Sequence, residues 1–297
     1  MKTILIPMEE DLPLFGPLCA ALDAEAGTLQ RRRFPDGESY LRVCSPVSGK
    51  QCIVLADLSN PDPNLPALLF LADTLRELGA ETVGLVAPYL CYMRQDRRFH
   101  PGEAVTAPSF ARLISRYFDW LVCVDPHLHR IHRLEEVYTI PAVAVSAAPV
   151  LAGWVAAQDG PCLLVGPDAE SRQWVNSVAK QTGSPVIVGE KHRLGDRAVE
   201  IAFPELSAFQ GYPAVLLDDV ISSGHTILEA VTRLRQAGVS QVDCLAVHGL
   251  YAEGAFAKLE QAGVRHLLAS NSIPGRGNTL DLSPVLIPAI SGLLSNS

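Results

Sequence analysis

Short apolar runs of β-rich composition alternate along the chain with stretches in which apolar residues recur at helical spacing. The runs fall at 2–7, 51–56, 82–87, 120–124, 161–165, 185–188, 214–217, 241–247 and 265–269. Phe110, Ala111, Ile114, Tyr117 and Phe118 follow a period near 3.6. Strand and helix in alternation predict an α/β chain with largely parallel sheets. Three joints repeat one device, Leu78-Gly79-Ala80, Ala237-Gly238-Val239 and Ala262-Gly263-Val264, in which glycine ends a helix and an apolar strand follows. The same layout therefore occurs in both halves. The 297 residues allow two medium-sized domains. The segment 141–149 is the best dividing point, giving domains 1–143 and 144–297.

Composition narrows the class of partner. The chain is 48% hydrophobic and 19% charged, which describes a globular protein rather than a disordered one. Its 24 Lys plus Arg against 32 Asp plus Glu leave a net charge of −8, the reverse of the balance a phosphate-backbone binder carries, so nucleic acid is not an expected partner. The first ten residues hold too short an apolar run for an export signal, and the run 65–71 is soon cut by Asp73, Arg76 and Glu77, so no membrane partner is expected. Seven scattered cysteines without a CxxC spacing read as mostly buried thiols in a reducing cytoplasm.

The most informative stretch is 215–230, VLLDDVISSGHTILEA: an apolar strand, two carboxylates, a small polar turn and an apolar helix. Ser222, Ser223, Gly224, His225 and Thr226 would present backbone N–H groups and hydroxyls at a helix start, where the dipole and unpaired donors favour an anion. Asp218 and Asp219 suit ribose hydroxyls. The plainer alternative is a helix cap in which Thr226 and Glu229 form a capping box. In the first half, Phe34-Pro35-Asp36-Gly37-Glu38 is compatible with ordinary turn chemistry. The charged run Arg94-Gln95-Asp96-Arg97-Arg98, with Pro101-Gly102-Glu103 after it, is compatible with a solvated loop, although Arg also offers the bidentate geometry of phosphate recognition.

The strand, acid pair and turn at 215–230 resemble the ribose-phosphate-binding motif of type I phosphoribosyltransferases and ribose-phosphate pyrophosphokinases. The 94–98 segment resembles a signature of the pyrophosphokinases that phosphoribosyltransferases lack, and 34–38 is similar to their nucleotide loop. Asp125-Pro126-His127 resembles the family segment whose histidine serves the magnesium–ATP site. Asp168, in Gly166-Pro167-Asp168-Ala169, matches a family aspartate associated with magnesium. Glu190-Lys191-His192-Arg193 is similar to a mobile basic loop; a plain hairpin turn is its alternative reading. His129 and His132 read as surface histidines, since no cysteine or acid stands at zinc-ligand spacing. The similarity runs from about residue 2 to 288, with the motifs in family order, and includes Asn271-Ser272-Ile273-Pro274.

This resemblance implies two tandem phosphoribosyltransferase-like domains, an ATP-binding one followed by a ribose-phosphate-binding one. It implies a C-terminal helix, about 284–294, that returns to the first domain. The implied reaction is magnesium-dependent transfer of diphosphate from ATP to ribose 5-phosphate, in a cytoplasmic homo-oligomer. Phe34, Asp36, Glu38, Arg94, Gln95 and Asp96 would hold ATP, and His127 and Asp168 would serve Mg2+. Asp218, Asp219 and residues 222–226 would hold the ribose phosphate, and Lys191 and Arg193 would act on the transferring group. Two departures from the family pattern mark a divergent branch. Glu170-Ser171 stands where many members have Gly-Gly, and Ser222-Ser223-Gly224-His225-Thr226 where the loop often reads Asp-Thr-Gly-Gly-Thr. If the replaced glycines held positive φ, Glu170 and His225 would be strained. A weakly active regulatory homologue, or a diphosphokinase for another pentose phosphate, are the alternative readings.

Overall fold

The computed structural model describes residues 1–128, 130–194, 198–204, 206–209 and 211–295, with the backbone alone at 191–194 and 198–200. The chain forms two compact units, one of residues 1–146 with 272–274 and 282–297, the other of 147–271 with 275–281.

In the first unit the order is β1 (Thr3–Pro7), α1 (Phe15–Ala21), β2 (Glu25–Ala26), β3 (Leu29–Arg33), β4 (Ser39–Val43), β5 (Gln51–Leu55), α2 (Leu65–Glu77), β6 (Thr82–Val86), α3 (Thr106–Tyr117), β7 (Trp120–Val124) and β8 (Ala142–Val145). The sheet runs β2-β1-β5-β6-β7-β8, and every pairing in it is parallel. Its central strands β5 and β7 are buried on both faces, as the apolar runs at 52–55 and 120–124 require. Parallel pairing puts the segments that follow β1, β5, β6 and β7 along one sheet edge. β3 and β4 instead form a separate antiparallel hairpin.

The second unit repeats the plan with α4 (Ala148–Ala156), β9 (Leu163–Gly166), α5 (Arg172–Thr182), β10 (Val186–Val188), β11 (Glu190–Leu194), β12 (Ala198–Ala202), β13 (Ala214–Ile221), α6 (His225–Gln236), β14 (Val242–Gly249), α7 (Ala255–Gln261), β15 (Leu267–Ser270) and β16 (Asn278–Leu280). Its sheet runs β10-β9-β13-β14-β15-β16, again parallel throughout. The two sheets thus give the α/β, parallel-sheet architecture that the alternating pattern predicts. The last helix, α8 (Ser283–Ser295), packs on α1, β7 and β8, so it belongs with the first unit despite its place at the end of the sequence.

The three helix-ending glycines behave alike. Gly79, Gly238 and Gly263 have φ of 87°, 90° and 85°, the left-handed region that lets a helix stop and turn into a strand.

Candidate active site

In the first unit the β3–β4 hairpin carries the 34–38 segment at its tip. Gly37 takes φ 94° and donates its N–H to the Phe34 carbonyl (2.9 Å), while Asp36 Oδ1 accepts the Glu38 N–H (3.1 Å). The tip is therefore an ordinary Asx-type turn that leaves Phe34, Asp36 and Glu38 exposed. Two arginines of β3 pin the hairpin beside the start of α2. Arg31 donates to Glu9 Oε1 (3.2 Å) and Asn64 Oδ1 (2.5 Å), and Arg33 to the Pro63 carbonyl (2.7 Å). Arg32 lies over the rings of both Phe34 and Tyr40, at 4.6 and 4.3 Å. Burial raises the Glu9 carboxyl above the usual range even with Arg31 beside it.

The 94–98 segment follows β6 on the same sheet edge. Arg94 and Gln95 are exposed, and the Gln95 carbonyl accepts the Ala107 N–H (3.2 Å) at the first turn of α3. Asp96 points inward, its side chain 4% exposed, and is bonded by Arg130. His127 is half-buried in the segment after β7, two residues beyond Asp125, whose φ of 32° is unusual for a residue with a side chain. His132 is exposed, and His129 lies outside the described residues. Among the described residues no hydrogen bond or ion pair joins the 34–38 tip to the 94–98 segment.

In the second unit β13 continues past Leu217 to Ile221, so Asp218 and Asp219 lie within the strand rather than after it. The reason is the ladder: parallel pairing with β14 persists at Val220 with His248 and at Ile221 with Gly249. Asp219 is 8% exposed, and Asp168, just after β9, is likewise 8% exposed. Burial, reinforced by the neighbouring Asp219 and Asp168, holds the Asp218 carboxyl well above the usual carboxylate range. Three acids are thus gathered near the ends of two adjacent strands.

Gly224 takes the left-handed conformation, φ 75°, and α6 begins at His225 with no side-chain cap. The Thr226–Glu229 capping box is not formed; Glu229 pairs with Arg233 instead, at 2.8 Å. Neither His225 nor Glu170 has positive φ, so neither departure from glycine is strained. Ser171 closes the turn after β9: its hydroxyl donates to the Asp168 carbonyl (2.6 Å), and Asp168 Oδ1 accepts the N–H groups of Glu170 (3.0 Å) and Ser171 (3.3 Å). Ser222 and Thr226 are half-buried, and Ser223 and His225 exposed, around the first turn of α6.

The basic segment at 190–194 is a strand, not a loop. β11 pairs antiparallel with β12, Lys191 opposite Ile201 and Arg193 opposite Val199. The side chains of Lys191 and Arg193 lie outside the described residues. Among the described residues no three His, Cys, Asp or Glu side chains are arranged to hold a metal ion, and no helix is long and apolar enough to cross a membrane.

Sequence reasoning missed the β3 arginines and Arg130, which support the proposed site residues without belonging to a motif. The signal available for β3 was the run Arg31-Arg32-Arg33 directly before Phe34.

Two α/β units with parallel sheets, the second offering clustered acids and a glycine turn at a helix start, make a layout suited to phosphorylated ligands at strand ends. Comparison makes the class specific. Residues 3–117 match the family described as the N-terminal domain of ribose phosphate pyrophosphokinase, and residues 206–297 match the phosphoribosyl synthetase-associated domain. The ribose-phosphate pyrophosphokinase of Methanopyrus kandleri is 35% identical over 292 residues, covering 98% of this chain and 99% of its own length. That of Methanothermobacter thermautotrophicus is 33% identical over 266 residues, covering 89% and 92%. The crystal structure of phosphoribosylpyrophosphate synthetase from Mycobacterium smegmatis matches the whole fold, with a TM-score of 0.86, 24% identity and full coverage of both chains. The chain belongs to the ribose-phosphate pyrophosphokinase family.

Proposed function

We propose that this chain transfers the diphosphoryl group of ATP to the anomeric hydroxyl of ribose 5-phosphate, giving phosphoribosyl diphosphate and AMP. The observation that carries the reading is full-length similarity to pyrophosphokinases in a chain that has both the 94–98 segment and the acid-bearing β13 with its Gly224 turn. The anomeric oxygen attacks the β-phosphorus, the bond from that phosphorus to the α–β bridging oxygen breaks, AMP departs, and the hydroxyl proton is released. Such a transfer needs positioning and neutralisation of charge on the phosphoryl oxygens.

The residues divide those tasks. Phe34, Asp36 and Glu38 at the hairpin tip, with Arg94 and Gln95, hold ATP, and Asp96 belongs to the same nucleotide-holding segment. Asp218 and Asp219 accept hydrogen bonds from ribose hydroxyls. The N–H groups and hydroxyls of Ser222, Ser223, Gly224, His225 and Thr226 receive the 5-phosphate at the start of α6. Lys191 and Arg193 stabilise charge on the transferring group.

Magnesium fits the donor set. Burial, with Asp219 and Asp168 close by, raises the Asp218 carboxyl, and a hard divalent cation with oxygen ligands would offset that concentration of negative charge. Asp168 and His127 would each serve Mg2+, directly or through water. Bound there, the ion would neutralise phosphate charge. Five buried thiols, of seven free cysteines, support a reducing cytoplasm. Among the described residues the large apolar ones left exposed, Met1, Phe34, Phe70, Leu78 and Phe99, lie in the first unit, which supports a homo-oligomer associating through that unit.

Phosphorus NMR of the protein with ATP, Mg2+ and ribose 5-phosphate tests the reaction. AMP and a pyrophosphorylated sugar are expected. Formation of ADP with a sugar bisphosphate, or ATP binding without turnover, would refute it.

A further inference from the structure

Arg130 sits in the segment after β7, while Asp96 sits in the segment after β6, 34 positions earlier in the chain. Asp96 is the inward-facing member of its run, and its carboxylate is almost wholly enclosed. Arg130 occupies it with two donors: the backbone N–H to Oδ2 (3.1 Å), and Nη1 to Oδ1 (3.1 Å) with a longer contact to Oδ2 (3.4 Å). The same guanidinium lies 5.7 Å from the centroid of Phe99, whose ring also carries Arg97 at 4.7 Å. One side chain therefore grips the 94–99 segment at two points.

The exposed neighbours Arg94 and Gln95 are set by this grip. Gln95 is tied by its carbonyl to α3 on one side, and Asp96 is tied to Arg130 on the other. An enclosed carboxylate that loses its partner carries a large desolvation penalty, and the segment moves to relieve it. Three residues upstream of Arg130 is His127, so the bond also fixes the spacing between the two segments that would meet the nucleotide.

We infer that Arg130 is a positioning residue for ATP: its bond to Asp96 locks the 94–99 segment to the 125–132 segment, and Asp96 serves ATP through this lock rather than by touching it. The inference rests on the reading of Arg94 and Gln95 as ATP-holding residues. No short sequence motif carries it, since the pairing depends on two adjacent parallel strands delivering their following segments to one edge.

The test uses the full-length protein with Arg130→Ala, Arg130→Lys, Asp96→Asn and the double variant Asp96→Asn/Arg130→Ala. Arg130→Ala should raise KM for ATP about tenfold, the scale of one lost charge-assisted hydrogen bond, and leave KM for ribose 5-phosphate within about twofold. Arg130→Lys should recover most of that loss. The double variant should be no worse than the poorer single one, because both changes break the same lock. Trypsin cutting after Arg97 and Arg98, mapped by mass spectrometry, should accelerate in Arg130→Ala. A raised KM for ATP in Asp96→Asn with none in Arg130→Ala would mean that Asp96 touches the nucleotide itself, and would overturn the inference. If calorimetry showed that the unaltered protein binds no ATP, the functional reading would fall, and the lock would still be judged by trypsin: equal cutting rates in the unaltered protein and Arg130→Ala overturn it.

Discussion

Gly224 concentrates the backbone demand of the proposed phosphate turn in one residue, and a paired substitution measures it. At φ 75° an alanine pays the left-handed penalty of roughly 1–2 kcal/mol. Its Cβ would also sit 3.3 Å from Leu259 Cδ1 and 3.7 Å from Ala255 Cβ, where Leu259 is fully buried and has little room to give. Gly238, at the other end of the same helix, supplies the control: φ is 90° and nothing lies within 4 Å of an added Cβ. Gly238→Ala should therefore cost about 1 kcal/mol after the entropy gained in the unfolded chain, and Gly224→Ala about 2 kcal/mol. At ~4 °C per kcal/mol for a domain of this size, the two variants should melt about 4 °C apart. If the turn relieves part of its strain by shifting, that part appears as weaker sugar-phosphate binding, with KM for ribose 5-phosphate raised up to about tenfold per 1.4 kcal/mol diverted. Thermal melts and steady-state kinetics on both variants decide the matter. Should Gly224→Ala melt with Gly238→Ala and keep its KM, Gly224 has no role as the strained centre of a ligand turn.

Lys191→Ala is expected to lower turnover on the order of 10²-fold while leaving ATP affinity by calorimetry nearly unchanged; parallel losses of binding and turnover would refute its transition-state role. Arg265→Ala removes two hydrogen bonds, at 2.9 and 2.5 Å, from Asp243, which is 1% exposed, so it should destabilise by about 2–3 kcal/mol. The exposed pair Arg276–Glu260 should contribute under about 0.5 kcal/mol on the same thermal assay, and equal effects at the two sites would contradict the burial argument. In thiol labelling of the native protein, exposed Cys44 should react fast and Cys19 slowly, because burial raises its thiol. Cys52, pushed up to about 11, and the four other buried thiols should react only on unfolding; rapid native labelling of more than these two would count against the packing described.

What the sequence made legible was whatever is written in consecutive residues. The run at 120–124 became β7 to the residue, because a strand buried on both faces must be apolar throughout. The extension of β13 through Asp218 and Asp219 was hidden, because its pairing with β14 outlasts the apolar pattern. β3, with three arginines in five residues, has no hydrophobic period at all. It is a strand because it pairs with β4 and because Arg31 and Arg33 find acceptors at 63–64. Asp243 with Arg265 and His266 was equally hidden. Those residues meet because β14 and β15 pair in parallel, and the register of two strands is not visible in either one. At the candidate site the motifs announced themselves, whereas the groups that hold them in place did not.

The same distinction explains how the two loops read as departures from the family pattern keep ordinary backbone geometry. A glycine can be demanded by φ or by space, and only the first demand is strict for every side chain. At the turn after β13 the left-handed position falls on Gly224, one residue before His225, so His225 enters as the first residue of α6 in a conformation open to any residue. At the turn after β9, Ser171 uses its hydroxyl on the Asp168 carbonyl and so closes the turn by a hydrogen bond, while Asp168 keeps Oδ1 on the N–H groups of Glu170 and Ser171. Asp168, held by those bonds, adds with Asp219 to the burial that raises the Asp218 carboxyl, a concentration of acid that a buried site disfavours. A fold gains no stability from three acids so placed. Under the proposed reaction, beside a helix start suited to phosphate, these acids would meet ligands that bring cations and hydroxyl groups to them.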